Sequence, residues 1–115
     1  MTTTTLFGIS YDAHDAATAA AFWARALGRD VSPGATPESA SVSTGEDPAN
    51  GPLLMFHQVP ESKEAKNRLH LDLITASFTE ELARLHQLGA TTVATFDAWT
   101  TLRDPEGNEF DLIRG

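Results

Sequence analysis

This chain repeats itself, and that restricts what it can fold into more than any other feature. Leu6 to Asp12 alternates, with Phe7, Ile9 and Tyr11 apolar and Gly8, Ser10 and Asp12 small or polar, which is the period of a half-buried strand. From Asp15 the period lengthens. Asp15 is placed to cap a helix carrying Ala19, Phe22, Trp23, Ala26 and Leu27 on one face, and Gly28 is placed to end it. A stretch rich in Pro, Gly, Ser and Thr follows, holding a weak strand near Ala40–Thr44 and a firmer one over Leu53–Val59.

The second half replays this order. Leu69, Leu71 and Leu73 alternate with His70, Asp72 and Ile74. Ser77-Phe78-Thr79-Glu80 has the form of a capping box, followed by Leu82, Leu85 and Leu88 at helical spacing. Gly89 closes that helix 61 residues after Gly28. Strands fit Thr91–Thr95, Ala98–Leu102 and Glu109–Arg114, with a proline-set turn at Asp104-Pro105-Glu106-Gly107-Asn108 before the last. Met55-Phe56-His57 aligns with Glu109-Phe110-Asp111, and a one-residue shift sets Gly8 opposite His70. The reading is one α+β domain over 1–115, made of two βαβββ modules over about 6–59 and 69–114. Each module is an open sheet with one helix on its outer face, so two must associate to cover each other.

Composition narrows the function classes. Of 115 residues, 41% are hydrophobic and 21% charged, enough to build a core without a staple. There is no cysteine, so thiolate chemistry is excluded, and this suits a reducing, cytoplasmic setting. A net charge of −8 argues against a nucleic-acid partner, since phosphate contacts need a basic face. No apolar run reaches the roughly 18 residues of a spanning helix, and Met1-Thr2-Thr3-Thr4-Thr5 is unlike a signal peptide. No membrane partner is expected.

Four stretches together resemble the short glyoxalase-like, bleomycin-resistance-like branch of the vicinal-oxygen-chelate superfamily. They are Asp12-Ala13-His14-Asp15 leading to Phe22-Trp23 and Leu27-Gly28, the run Lys66-Asn67-Arg68-Leu69-His70-Leu71-Asp72-Leu73, Leu88-Gly89-Ala90, and Trp99 with Asp104-Pro105-Glu106-Gly107-Asn108-Glu109-Phe110. The resemblance implies a pair of half-barrels around a small-molecule cavity, assembled as a homodimer that covers its sheet edges. It leaves the reaction open, because the superfamily holds isomerases, dioxygenases, thiol transferases, epimerases and proteins that only sequester antibiotics.

Strand parity points Gly8, Ser10, Asp12, His70 and Asp72 inward, and sending Phe56 and Phe110 to the helix side turns His57 and Asp111 inward too. The superfamily's four ligand places then hold Gly8, His57, His70 and Asp111. The last three suit one divalent Fe, Mn, Ni or Zn ion, while Gly8 rules out a full four-residue site. His70 equally reads as a histidine hydrogen-bonded to Asp72 or Asp12, and Asp111 as a carboxylate paired with a nearby base.

Trp99 is a candidate to stack on a flat ligand, with Ser10 and Trp23 as further contacts. Trp23 at helical spacing also reads as core. Lys63, Lys66 and Arg68 on the joining loop read as solvated, or as meeting an anion.

Two functional readings follow. One is a binding protein for a flat, partly apolar metabolite or antibiotic, favoured by the room that Gly8 leaves. The other is a metal-dependent lyase, isomerase or dioxygenase using His57, His70 and Asp111, with Asp12 or Asp72 as base. Metal-free acid–base chemistry on His70 and Asp72 is a third.

Overall fold

The computed structural model describes residues 2–115. The chain forms two compact units, the first ending at Glu61 and the second running over Ser62–Gly115, so the joining segment belongs to the second. The first unit holds β1 (Gly8–Ala13), α1 (Ala16–Leu27), β2 (Ser39–Val42) and β3 (Leu53–Gln58). Its sheet runs β1–β3–β2, with β1 parallel and β2 antiparallel to β3. The second unit holds β4 (Leu71–Thr75), α2 (Phe78–Leu88), β5 (Thr91–Thr95), β6 (Trp99–Arg103) and β7 (Glu109–Arg114), in the order β4–β7–β6–β5.

The two topologies are the same once a single bridge, Val31 to Val42, is taken as the remnant of the first unit's second strand. Pro33, Gly34 and Pro37 all lie within six residues after Val31, and prolines cannot continue a ladder.

Local chemistry explains most of the element ends. The Asp15 side chain accepts a hydrogen bond from the Thr18 N–H at 3.0 Å, which caps α1. Gly28 (φ 65°) and Gly89 (φ 117°) end α1 and α2 in the left-handed region that favours glycine. The capping box expected at Ser77 does not form. Ser77 makes no side-chain cap, and its own N–H instead donates to Thr75 Oγ1 at 3.1 Å. With ψ at 63° rather than extended, its hydroxyl is not aimed at the first-turn amides, and Glu80 and Glu81 serve that helix end through the dipole.

In the first unit Trp23 of α1 and Phe56 and Val42 of the sheet are fully buried, and Tyr11 stacks on both Trp23 and Phe56. Phe110, Leu112, Leu102 and Leu85 do the same work in the second. The strands start later than their alternation promised. Phe7 and Leu69, expected under the helices, lie before β1 and β4 and are 71% and 66% exposed.

The register also corrects one alignment. Parallel pairing sets Gly8 beside Leu53, Ser10 beside Met55 and Asp12 beside His57, while in the second unit Asp72 lies beside Asp111. The helices begin 62 residues apart, at Ala16 and Phe78, and the last strands 56 apart, at Leu53 and Glu109. Gly8 then does match His70, but the counterpart of Asp111 is Met55. His57 falls one pleat further on, opposite Ile113.

Candidate functional site

On β7 the side chains alternate. Phe110 and Leu112 go into the core, and Glu109, Asp111 and Ile113 take the other face. Cross-strand pairing builds rows on that face: Arg103 beside Glu109, Thr101 beside Asp111 beside Asp72, and Trp99 beside Ile113 beside Ile74. The face therefore grades from an ion-paired row through a polar row to an apolar one.

The polar row is one hydrogen-bonded cluster. Thr101 donates its hydroxyl to Asp111 Oδ1 at 2.6 Å, and His70 Nδ1 lies 3.4 Å from Asp111 Oδ2. Asp72 shares a hydrogen bond with Asp111. Loss of water around Asp72, then that bond and the Asp111 charge, raise its pKa against a smaller opposing effect of His70. The two carboxylates thus disfavour each other's ionisation, and Asp72 takes up a proton more readily than a free aspartate does. With its proton on Nδ1, His70 donates to Asp111 and carries its lone pair on Nε2. The cluster can thus hold and hand on a proton, or anchor a polar group of a ligand.

The raised pKa carries a sign for stability. As pH rises above the ordinary value of 3.8, the unfolded chain releases the Asp72 proton before the folded chain does, so stability falls. Asp72→Asn, which keeps a donor toward Asp111, is expected to flatten that fall. It should raise the neutral-pH melting temperature by about 1–3 °C, after screening of a surface group is allowed for. Thermal unfolding between pH 3 and 7 checks it.

The apolar row carries Trp99, 38% exposed and stacked on Phe96 at 4.5 Å between ring centres. Ile74, across Ile113 from it, is 72% exposed. Of the other candidates, Trp23 drops out as a ligand contact: it is fully buried, stacked with Tyr11 and edge-on to Phe22. Ser10, Asp12 and His57 lie on the first unit's sheet, all exposed, with Asp12 beside His57. Gly8 leaves no room after all. A Cβ there would stand 2.8 Å from both the Leu53 carbonyl oxygen and Met55 Cε.

That arrangement bears on a metal. Among the described residues no group of three or more His, Asp or Glu side chains is placed to hold an ion. Within the second unit His70 and Asp111 are turned to each other. This pair offers too few donors to hold a divalent ion by itself, and no step below is routed through one.

Two residues that sequence reasoning passed over prove central. Glu109 is 6% exposed and Arg29 spans the first unit's long loop. Both act largely on main-chain groups, which leave no mark in a side-chain pattern.

Residues 8–113 match the glyoxalase-like domain family. The chain belongs to it. Solved structures similar to this glyoxalase-like chain include a glyoxalase/bleomycin resistance protein/dioxygenase family enzyme from Burkholderia phytofirmans PsJN, at 17% identity and TM-score 0.74, covering 96% of this chain and 98% of that one. A possible glyoxalase from Bacillus cereus matches at 16% identity and TM-score 0.72, with the same coverage. The oxidase ChaP-H2 matches at 21% identity and TM-score 0.71, over 99% of this chain and 95% of that one. At such identities the likeness is one of fold. No curated protein matches the chain in sequence. No helix among the described residues is long and apolar enough to cross a membrane.

Proposed function

We propose that this glyoxalase-like chain binds and sequesters a flat, partly apolar small molecule on the open sheet face of its second unit. The supporting observation is the adjacency of two unlike rows on that face. An exposed Trp99–Phe96 stack offers a platform to a planar ring, and the next row offers Asp111, Thr101, His70 and Asp72 as polar anchors. Sites of this kind join an apolar wall to a few placed polar groups. Acid–base chemistry on the same polar row is the reading held in reserve, since Asp72 with its raised pKa beside Asp111 and His70 has the parts for it.

The chain has two tryptophans, one fully buried and one exposed, so quenching by an added ligand reports on Trp99. A panel of planar aromatic natural products, screened by quenching and confirmed by calorimetry, is expected to contain binders. For a binder so found, Trp99→Ala should weaken affinity about 10–100-fold while Trp99→Phe stays within about threefold. Binding that is indifferent to Trp99→Ala would move the site elsewhere. Stoichiometric metal in the purified protein, lost in both His57→Ala and Asp111→Ala, would replace this reading with a metal-dependent enzyme.

A further inference from the structure

β7 presents two carboxylates on one face, two residues apart, and each holds a different point of the segment that enters β4. Asp111 meets His70. Glu109 meets Asn67 and Lys63: its Oε2 accepts from the Asn67 backbone N–H at 2.9 Å, and its Oε1 lies 3.3 Å from Lys63 Nζ. Arg103 Nε stands 3.9 Å from the same oxygen. The Asn67 side chain donates to Asn108 Oδ1 at 3.3 Å, and Lys63 also donates to the Ala65 carbonyl. Segment 63–67 is therefore strapped to the β6–β7 turn and the root of β7.

His70 lies outside any strand. It is fixed between the Asn67 anchor, three residues before it, and Leu71, which enters the ladder beside Phe110. Burying an acid at 6% exposure is unfavourable unless its charge is paired and hydrogen-bonded, and here both conditions are met.

We infer that Glu109 is a positioning residue: by clamping Asn67 and Lys63 it sets the approach of His70 to Asp111. The inference concerns the cluster that the proposed function uses as its polar anchor, but its test needs no ligand. If the clamp is released, His70 loses one of the two points that fix its backbone, and its contact with Asp111 opens.

The test is NMR on the whole chain. In Glu109→Ala the Asn67 amide should exchange with solvent at least about tenfold faster. The His70 ring resonances should also move to where they lie in Asp111→Asn, the variant in which the pair is broken directly. Glu109→Gln keeps the volume and an acceptor for Asn67 while losing the charge partner of Lys63, and should fall between. Should Glu109→Ala fail to fold, Glu109→Gln decides alone, through a partial shift of the His70 signals toward the Asp111→Asn positions. Faster Asn67 exchange with His70 signals unmoved would overturn the inference and leave Glu109 as a fastener of the joining segment only. Loss of ligand affinity in Trp99→Ala bears on the proposed function and not on this.

Discussion

Trp23→Ala is expected to destabilise the chain by about 3–5 kcal/mol, the range for emptying an aromatic site in a packed core. Trp23 is fully buried and stacks with Tyr11 at 6.1 Å, while Tyr11 in turn stacks on Phe56 at 5.4 Å. Phe22 meets it edge-on at 5.4 Å. Removing the indole strips one face of Tyr11 and the edge contact with Phe22, and the neighbours are an α-helix and a three-stranded sheet that cannot close over so large a gap. Urea unfolding followed by far-ultraviolet circular dichroism should show the midpoint move down steeply with little change in slope. A loss below about 1 kcal/mol would mean that the first unit's core repacks freely, against the tight burial seen here.

The second large effect is expected at Arg29. Its guanidinium donates from Nε to the Ser43 carbonyl at 2.6 Å, from Nη2 to the Val42 and Pro52 carbonyls at 3.1 Å each, and from Nη1 to the Asn50 carbonyl at 3.3 Å. One side chain thus ties down both ends of the connection between β2 and β3. Partial burial lowers its pKa from the ordinary arginine value, but it stays charged at any pH where the protein folds. Arg29→Met keeps the bulk and removes every donor, so several carbonyls lose a charged partner. The expected loss is about 2–4 kcal/mol, with Arg29→Lys recovering less than half because an ammonium cannot fork to several oxygens. Hydrogen exchange should show the loosening confined to 43–52. A uniform loss of protection across the first unit would instead make Arg29 part of its global core.

How far the sequence could be read depended on which interactions were local. Asp15, Gly28 and Gly89 act on backbone within a turn of themselves, and all three stand where periodicity put them. Ser77 had the same signature and failed, because its backbone angles turn the hydroxyl away; residue order does not encode that choice. The βαβββ repeat was legible from alternation and glycine spacing, and parity put Asp111, His70 and Asp72 on one face, where the pairing of β4 with β7 and the His70–Asp111 contact bring them together. Parity could not give the step along the strand. It turned His57 to the correct side and still misplaced it by one pleat, since the matching position is Met55. Gly8 was read as a vacancy, whereas Met55 Cε and the Leu53 backbone fill it, a fact about close approach between strands far apart in sequence. Arg29 and Glu109 escaped notice for a related reason: their partners are carbonyls and an amide of distant loop segments.

The glutamate also sets a dependence on acid. Burial pushes against its ionisation, but the Asn67 amide, its own backbone N–H and Lys63 outweigh that and hold the carboxyl below the usual range. Its contribution is complete above the ordinary value of 4.5 and fades as pH falls through the lower folded one, so the clamp on segment 63–67 outlasts mild acidification.

The strand orders carry a consequence for synthesis. In each sheet the last strand to be made is an inner one: β3 lies between β1 and β2, and β7 between β4 and β6. Neither sheet can be finished by local hairpins alone, because its first strand waits for a partner on the order of 40 residues downstream, a separation that slows closure. A nascent chain that has emerged through Gln58 holds every strand of the first sheet. At that moment the second does not yet exist, and its edges stay open until Glu109 to Arg114 clears the ribosome. The two halves of one repeat are therefore completed at different times, every strand of the first sheet being available before the second sheet has its inner strand.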